Sequence, residues 1–174
     1  MIARTIRSRR TPLLAALVIM ATLPACAGLQ NLIQPPVLEL ASGRESQVRL
    51  LGPSVTRPLG GAQLRVWTRI QNPNSFGFTL TRLAGDILLD DQRAADLDLP
   101  LGLPLQAAAD TVIPIDVNIS FADVPALADR LASALRRGSV DYALHGTLAV
   151  DAGAFGEPTF GPTTWVAGEV AVTR

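Results

Sequence analysis

LRVWTRIQNPNSFGF, residues 64–78, decides how the rest of the chain is read. Leu64, Val66, Thr68 and Ile70 alternate with Arg65, Trp67, Arg69 and Gln71, and a period of two is the mark of a strand with two unlike faces. Pro73 ends the ladder because it has no N–H and fixes φ. It also pushes Asn72 into an extended conformation. Asn74 tolerates the left-handed region and can bond nearby backbone, so a corner is predicted at Asn72-Pro73-Asn74. Phe76 and Phe78 then supply large apolar contacts just past the corner.

Other segments with the same alternation lie on both sides. Val37 to Leu40 and Gln47 to Leu51 read as short strands about a Ser42-Gly43-Arg44 turn. Phe78 to Leu83 is extended, and Asp86 to Asp90 and Arg93 to Leu99 form a hairpin about Asp91-Gln92. Pro100, Gly102 and Pro104 predict irregular chain across PLGLPLQ. Thr111 to Ser120 places Ile113, Ile115, Val117 and Ile119 on one face, with Pro114 arguing for an edge position or a bulge. Val140 to Val150 alternates as cleanly, Gly153 to Pro162 reads as a loop, and Trp165 to Val172 closes the sheet. One helix is expected over Asp123 to Arg137. Asp123 is its N-cap, Pro125 lies in the first turn, and Leu127, Leu131 and Leu135 form a stripe with Ala128 and Ala134. Arg136 and Arg137 lie at the negative end of the dipole and Gly138 is the stop. Eight or nine strands and one helix predict a mainly β protein: an antiparallel β-sandwich of the fibronectin type III or immunoglobulin kind.

The strand that runs into Asn72-Pro73-Asn74 with Phe76 two residues on resembles the water-stress-and-hypersensitive-response domain of the type 2 late embryogenesis abundant family. The likeness runs from about Leu38 to Val172, with the family's order of corner, hairpin, Ile-rich strand, helix and two closing strands. It implies a stress-protection protein that works by binding instead of turnover, with Asn72, Pro73, Asn74 and Phe76 as structural residues. Composition agrees with a folded domain: the chain is 48% hydrophobic and 17% charged, the reverse of a disordered, hydrated protectant.

The N-terminus reads as an address. Arg4, Arg7, Arg9 and Arg10 precede an apolar run, Leu13 to Ala21, that is too short to span a bilayer, which needs about 20 helical residues. Leu23-Pro24-Ala25-Cys26 resembles a bacterial lipobox, with Pro24 as its one departure. The resemblance implies cleavage between Ala25 and Cys26, a diacylglyceryl group on the sulfur and an acyl chain on the new amine. Cys26 is the single cysteine, so it has no disulfide partner within the chain. An ordinary secretory signal cut elsewhere, or a transmembrane helix, is the competing reading. The expected organisation is a signal over 1–25, a lipidated cysteine and tether over 26–36, and the sandwich over 37–174. Ala27 after the cysteine implies outer-membrane sorting, facing the periplasm. The implied partners are the membrane, through the lipid anchor, and partially unfolded proteins or one envelope protein.

All 15 basic residues are arginine, and removal of the four before the apolar run leaves 11 (15 − 4 = 11) against 15 acidic residues. A net charge near −4 predicts no basic patch for nucleic acid. No catalytic set is expected. His145, the single histidine, lies on the polar face of its strand with Asp141 and Thr147, without a nucleophile elbow elsewhere. Asp86, Asp90, Asp91, Asp96 and Asp98 cluster, but the spacing is not that of a calcium loop, so a solvated hairpin face is expected, with no metal and no cofactor. Trp67 is expected to be covered by the helix or the second sheet. The other reading makes Arg65, Trp67 and Arg69 an exposed contact face for a partner. An accessory lipoprotein of envelope assembly, docking a specific partner, is the alternative function.

Overall fold

The computed structural model describes residues 33–174. The signal segment, the lipobox and Cys26 lie outside the described residues. Eight strands and one helix follow in order: β1 (Val37–Leu40), β2 (Gln47–Leu51), β3 (Gly61–Gln71), β4 (Phe78–Leu89), β5 (Gln92–Leu105), β6 (Asp110–Ser120), α1 (Pro125–Arg137), β7 (Ser139–Asp151) and β8 (Thr159–Thr173).

β3 organises its layer. Along one edge it pairs with β6 from Gly61↔Ser120 to Gln71↔Asp110. Its other edge is shared end to end by β1, at Leu40↔Thr68, and β2, at Gln47↔Arg65. The second layer runs β8-β7-β4-β5, and every neighbour in it is antiparallel. A short parallel pairing of β2 with β8, Gln47↔Ala171 to Arg49↔Thr173, carries the sheet from one layer into the other. The sheet does not close into a barrel: among the described residues β5 pairs only with β4, and β6 only with β3. Inward side chains of both layers form one core, with Leu64, Ile70, Leu80, Leu83, Ile87 and Leu148 among those fully buried. The protein is an antiparallel β-sandwich of the fibronectin kind with one helix.

Alternation in the sequence maps onto burial. Ala62, Leu64, Val66, Thr68 and Ile70 face the core from β3 while Arg65 and Arg69 face solvent. Every second residue of β7 from Val140 to Val150 is buried. In β4 the buried residues are Phe78 and Leu80, then Leu83, Ile87 and Leu89. The parity changes because the register slips between Leu80 and Arg82 against both neighbours, and one extra residue turns the apolar set back inward.

Several boundaries differ from the sequence reading. β4 is one strand where two segments were expected, and the two-residue turn after it is Asp90-Asp91, both at positive φ (46° and 61°), one residue earlier than Asp91-Gln92. Positive φ at both positions is what the right-handed twist of a tight hairpin demands, and aspartate tolerates it. PLGLPLQ stays within β5, which continues through Pro100 and Pro104 to Leu105, but the expected break in regularity is there: the register against β4 shifts between Pro100 and Leu103, with Gly102 at φ 54°. Its outer edge has no neighbour strand, so a missing N–H breaks no ladder bond there. Pro114 sits, as expected, in an edge strand. The expected loop before β8 is shorter, a single 3-10 turn over Gly153–Phe155, with the strand starting at Thr159.

The helix begins at Pro125 with Val124 in the cap position and no side-chain cap bond, so Asp123 is not the N-cap. Its amide instead donates to the Ser120 carbonyl in the turn before the helix. Gly138 does close the helix, at φ 94°. Leu127, Leu131 and Ala134 are buried, and α1 packs on β7 and β8. Among the described residues no helix is long and apolar enough to cross a membrane.

Candidate functional site

The Asn-Pro-Asn corner is the most densely bonded polar site of the domain. Asn72 is fully buried and Asn74 is 4% exposed. The Asn72 amide nitrogen donates to the carbonyls of Phe76 (2.8 Å) and Gln106 (2.9 Å). Its oxygen accepts from the backbone N–H of Asn74 (2.9 Å) and from the Asn74 side-chain amide (3.0 Å). That amide also donates to the Gln34 carbonyl (2.9 Å), while the Asn74 side-chain oxygen accepts from the Gln34 N–H (2.8 Å). Backbone bonds from Asn72 N–H to the Ala109 carbonyl and from Ala108 N–H to the Asn74 carbonyl complete the set. A primary amide has two donors and an acceptor oxygen, and both asparagines use all of them.

Four pieces of chain thus meet at one point: the segment before β1, the end of β3, the loop into β4 and the β5–β6 turn. The chain turns at Asn72-Pro73-Asn74 as expected, without a positive φ at Asn74; side-chain bonds make the turn. Residues 33–36, expected to be free tether, belong to the domain, with Ile33 and Pro36 buried and Gln34 clamped. Nothing local in the sequence names Gln34 or Gln106 as partners, because they are 40 and 34 residues away along the chain. Phe76 stacks on Phe155, with ring centroids 4.5 Å apart and planes 25° apart.

The outer face of β3 is brought together much as its alternation predicts. Arg65 makes a two-bond contact with Asp116 on β6 (2.6 and 2.9 Å), which raises the arginine above its ordinary pKa by hydrogen bonding and by charge. Arg69 lies 3.4 Å from Asp110. Between them Trp67 faces Pro114 in register and lies under the guanidinium of Arg44, 4.4 Å from the ring centroid. Trp67 is half-buried and is not part of the core cluster. The expectation that the helix or the second layer covers it is therefore corrected: the cover is a cation from the β1–β2 turn.

Four of the five carboxylates of the acidic cluster, all but Asp91, are matched by arginines. Arg82 binds Asp98 through two nitrogens, both at 2.6 Å, and this hydrogen bonding holds the Asp98 carboxyl below its ordinary range. Arg93 bridges Asp86 (2.8 Å) and Asp96. Asp90 accepts from Arg137 (2.8 Å), and its backbone carbonyl accepts from Arg130 (3.1 Å). Each of these carboxylates is thus held by a cation of the chain, and among the described residues no three His, Cys, Asp or Glu gather as a metal site. His145 is exposed, in register with Asp86 on β4 and Thr164 on β8. A surface groove over Leu88, Asp141, Ala167 and Glu169 and another between β5 and β6 are open, and His145 lines neither.

Residues 68–163 match the late embryogenesis abundant protein family LEA_2, and the chain belongs to that family. Membership supports a stress-related or desiccation-related, non-enzymatic role in general. No curated protein matches the chain. Among solved structures, a protein of Arabidopsis thaliana studied in solution is 18% identical over 82% of this chain and 80% of its own, with a TM-score of 0.50, a likeness of fold. A solution structure described as a late embryogenesis abundant protein is 20% identical over 91% and 86%, at a TM-score of 0.48. A crystal structure from Archaeoglobus fulgidus is 10% identical over 74% and 95%, at 0.43.

Proposed function

We propose that this protein is a lipid-anchored stress protectant of the cell envelope, held by Cys26 on the periplasmic face of the outer membrane. It shields partially unfolded or dehydrated neighbours without turning anything over. Family membership carries the reading, and the lipobox-like Leu23-Pro24-Ala25-Cys26 supplies the anchor. Two or three acyl chains, at about 0.8 kcal/mol per buried CH₂, hold a protein where one chain does not. The arrangement of charge suits the role: the outer faces carry matched Arg–Asp pairs, so the surface stays hydrated without attracting nucleic acid.

The test is recovery of a labile enzyme after drying or freezing with the soluble segment 27–174. Recovery above that given by an equal mass of albumin supports protection; equal recovery rejects it. Mass spectrometry of the protein from its native envelope tests the anchor, with an unmodified Cys26 as the rejecting result.

A second reading, an accessory lipoprotein that docks one envelope partner, draws on Trp67. A half-buried indole under the guanidinium of Arg44, flanked by Arg65 and Arg69, is the form of an aromatic contact site. Crosslinking in intact envelopes separates the two readings: one stoichiometric product favours docking, and a ladder favours general protection.

A further inference from the structure

The loops at the two ends of the sandwich differ in charge. Loops 33–36, 72–77, 106–109 and 152–158 share the corner end, and together they carry one charged residue, Glu157. The opposite end carries Arg57, the Asp90-Asp91 turn and the arginines of α1, so that its exposed Val55 (99%) and Leu59 (61%) are set among charges. At the corner end Phe155, 36% exposed, stacks on Phe76, which is partly buried against the core, and Val37, beside the corner through its pairing with Gln71, is 40% exposed. Ala107, Ala108 and Ala154 on the same loops are exposed as well.

The same end is where the preceding chain joins. Gln34 is clamped to Asn74, and Cys26 lies seven positions before Ile33 (33 − 26 = 7). Seven residues reach at most about 25 Å at 3.3–3.6 Å each. We propose that this end docks on the bilayer that holds Cys26, with Phe76 and Phe155 entering the boundary between headgroups and acyl chains. The proposal rests on the lipid-anchor reading and adds an orientation to it. The tether makes docking intramolecular, at an effective concentration in the millimolar range, so two aromatic side chains suffice where a free domain would not bind. The pair is also pre-shaped. Asn72 fixes the Phe76 carbonyl, and the Ala152 N–H to Gly156 carbonyl bond (2.9 Å) closes the turn under Phe155, so little order remains to be gained on docking. With Glu157 its single charge and Asp151 and Asp110 at its rim, the end suits zwitterionic lipid and not an anionic patch.

The experiment uses the full lipidated chain in phosphatidylethanolamine–phosphatidylcholine vesicles with brominated acyl chains. Tryptophan fluorescence is compared for Phe155→Trp and, at the opposite end, Val55→Trp, with the wild-type signal from Trp67 and Trp165 as the baseline. The expected result is a loss of fluorescence to brominated lipid for Phe155→Trp and none for Val55→Trp, with both proteins floating with the vesicles. Equal responses from two floating proteins overturn the docking and leave the anchor standing. A chain that does not float overturns both. Phe155→Trp that is unquenched but crosslinks to a second copy assigns the end to self-association and overturns the proposal.

Discussion

The Asn72–Asn74 corner and the arginine-matched outer face of β4 and β5 are made of the same kind of bond, and they hold the molecule to very different degrees. At the corner the amides of Asn72 and Asn74 are buried, so a partner lost there leaves a group that water reaches poorly. On the outer face the bonds are charge-assisted and short, yet Arg82 and Asp98 each keep 60% of their side-chain surface exposed, so water replaces whatever is removed. Burial, not bond count or formal charge, decides which polar contacts carry the fold.

Asn72→Ala is the strongest way to break that contrast. It strands the Phe76 and Gln106 carbonyls and two donors of Asn74, and is expected to cost about 3 kcal/mol or more in urea unfolding. Asn72→Asp sharpens the test, because a carboxylate accepts from Asn74 but donates to neither carbonyl, and a substantial loss is again expected. Asn74→Ala releases Gln34 and is expected to cost about 1–3 kcal/mol, with proteolysis advancing toward Pro36.

Two hydroxyls sit between these extremes. Thr68 and Tyr142 have buried oxygens with no hydrogen-bond partner among the described residues. Thr68→Val is expected to leave stability unchanged or raise it by up to about 1 kcal/mol in the same assay. Burial pushes the Tyr142 hydroxyl up to about 12. The unfolded chain then gives up its proton near pH 10 while the folded one keeps it. Stability is full below pH 10 and falls as pH rises toward about 12. Tyr142→Phe is expected to lessen that alkaline decline in a pH series of thermal melts, and an unchanged decline would contradict the assignment.

The smallest effect belongs to the outer face. Arg82→Ala or Asp98→Ala is expected to leave the melting temperature within error at neutral pH. Asp98 is held below its ordinary range, so whatever the pair contributes is present above that range and is lost as pH falls through the lowered value. A large loss from either variant would erase the contrast with the corner.

Most of the scaffold was legible in the sequence because its signals are local. Alternation located β1, β2, β3, β6 and β7, the leucine spacing and Gly138 located α1, and Pro114 identified an edge strand. What was not legible depends on distant pairing. The slip between Leu80 and Arg82 is set by two neighbouring strands, and the continuity of β5 through its prolines follows from its unpaired edge. At the candidate site, Asn72, Pro73, Asn74 and Phe76 could be named, but their partners Gln34 and Gln106 could not, because residues remote in sequence meet only once both layers are closed. The cover over Trp67 was misread for a similar reason, since Arg44 reaches it from a turn whose position depends on β1 and β2 pairing with β3.

Native-state hydrogen exchange tests most directly whether the corner is part of the core. The amides to follow are Gln34, Asn74 and Ala108, whose acceptors are Asn74, Asn72 and Asn74 respectively, against Val66 in the middle of β3. If the corner locks the sandwich, all four exchange through global unfolding, at the same free energy and with the same dependence on denaturant. Exchange of the three corner amides at loop-like rates while Val66 stays protected would contradict the account.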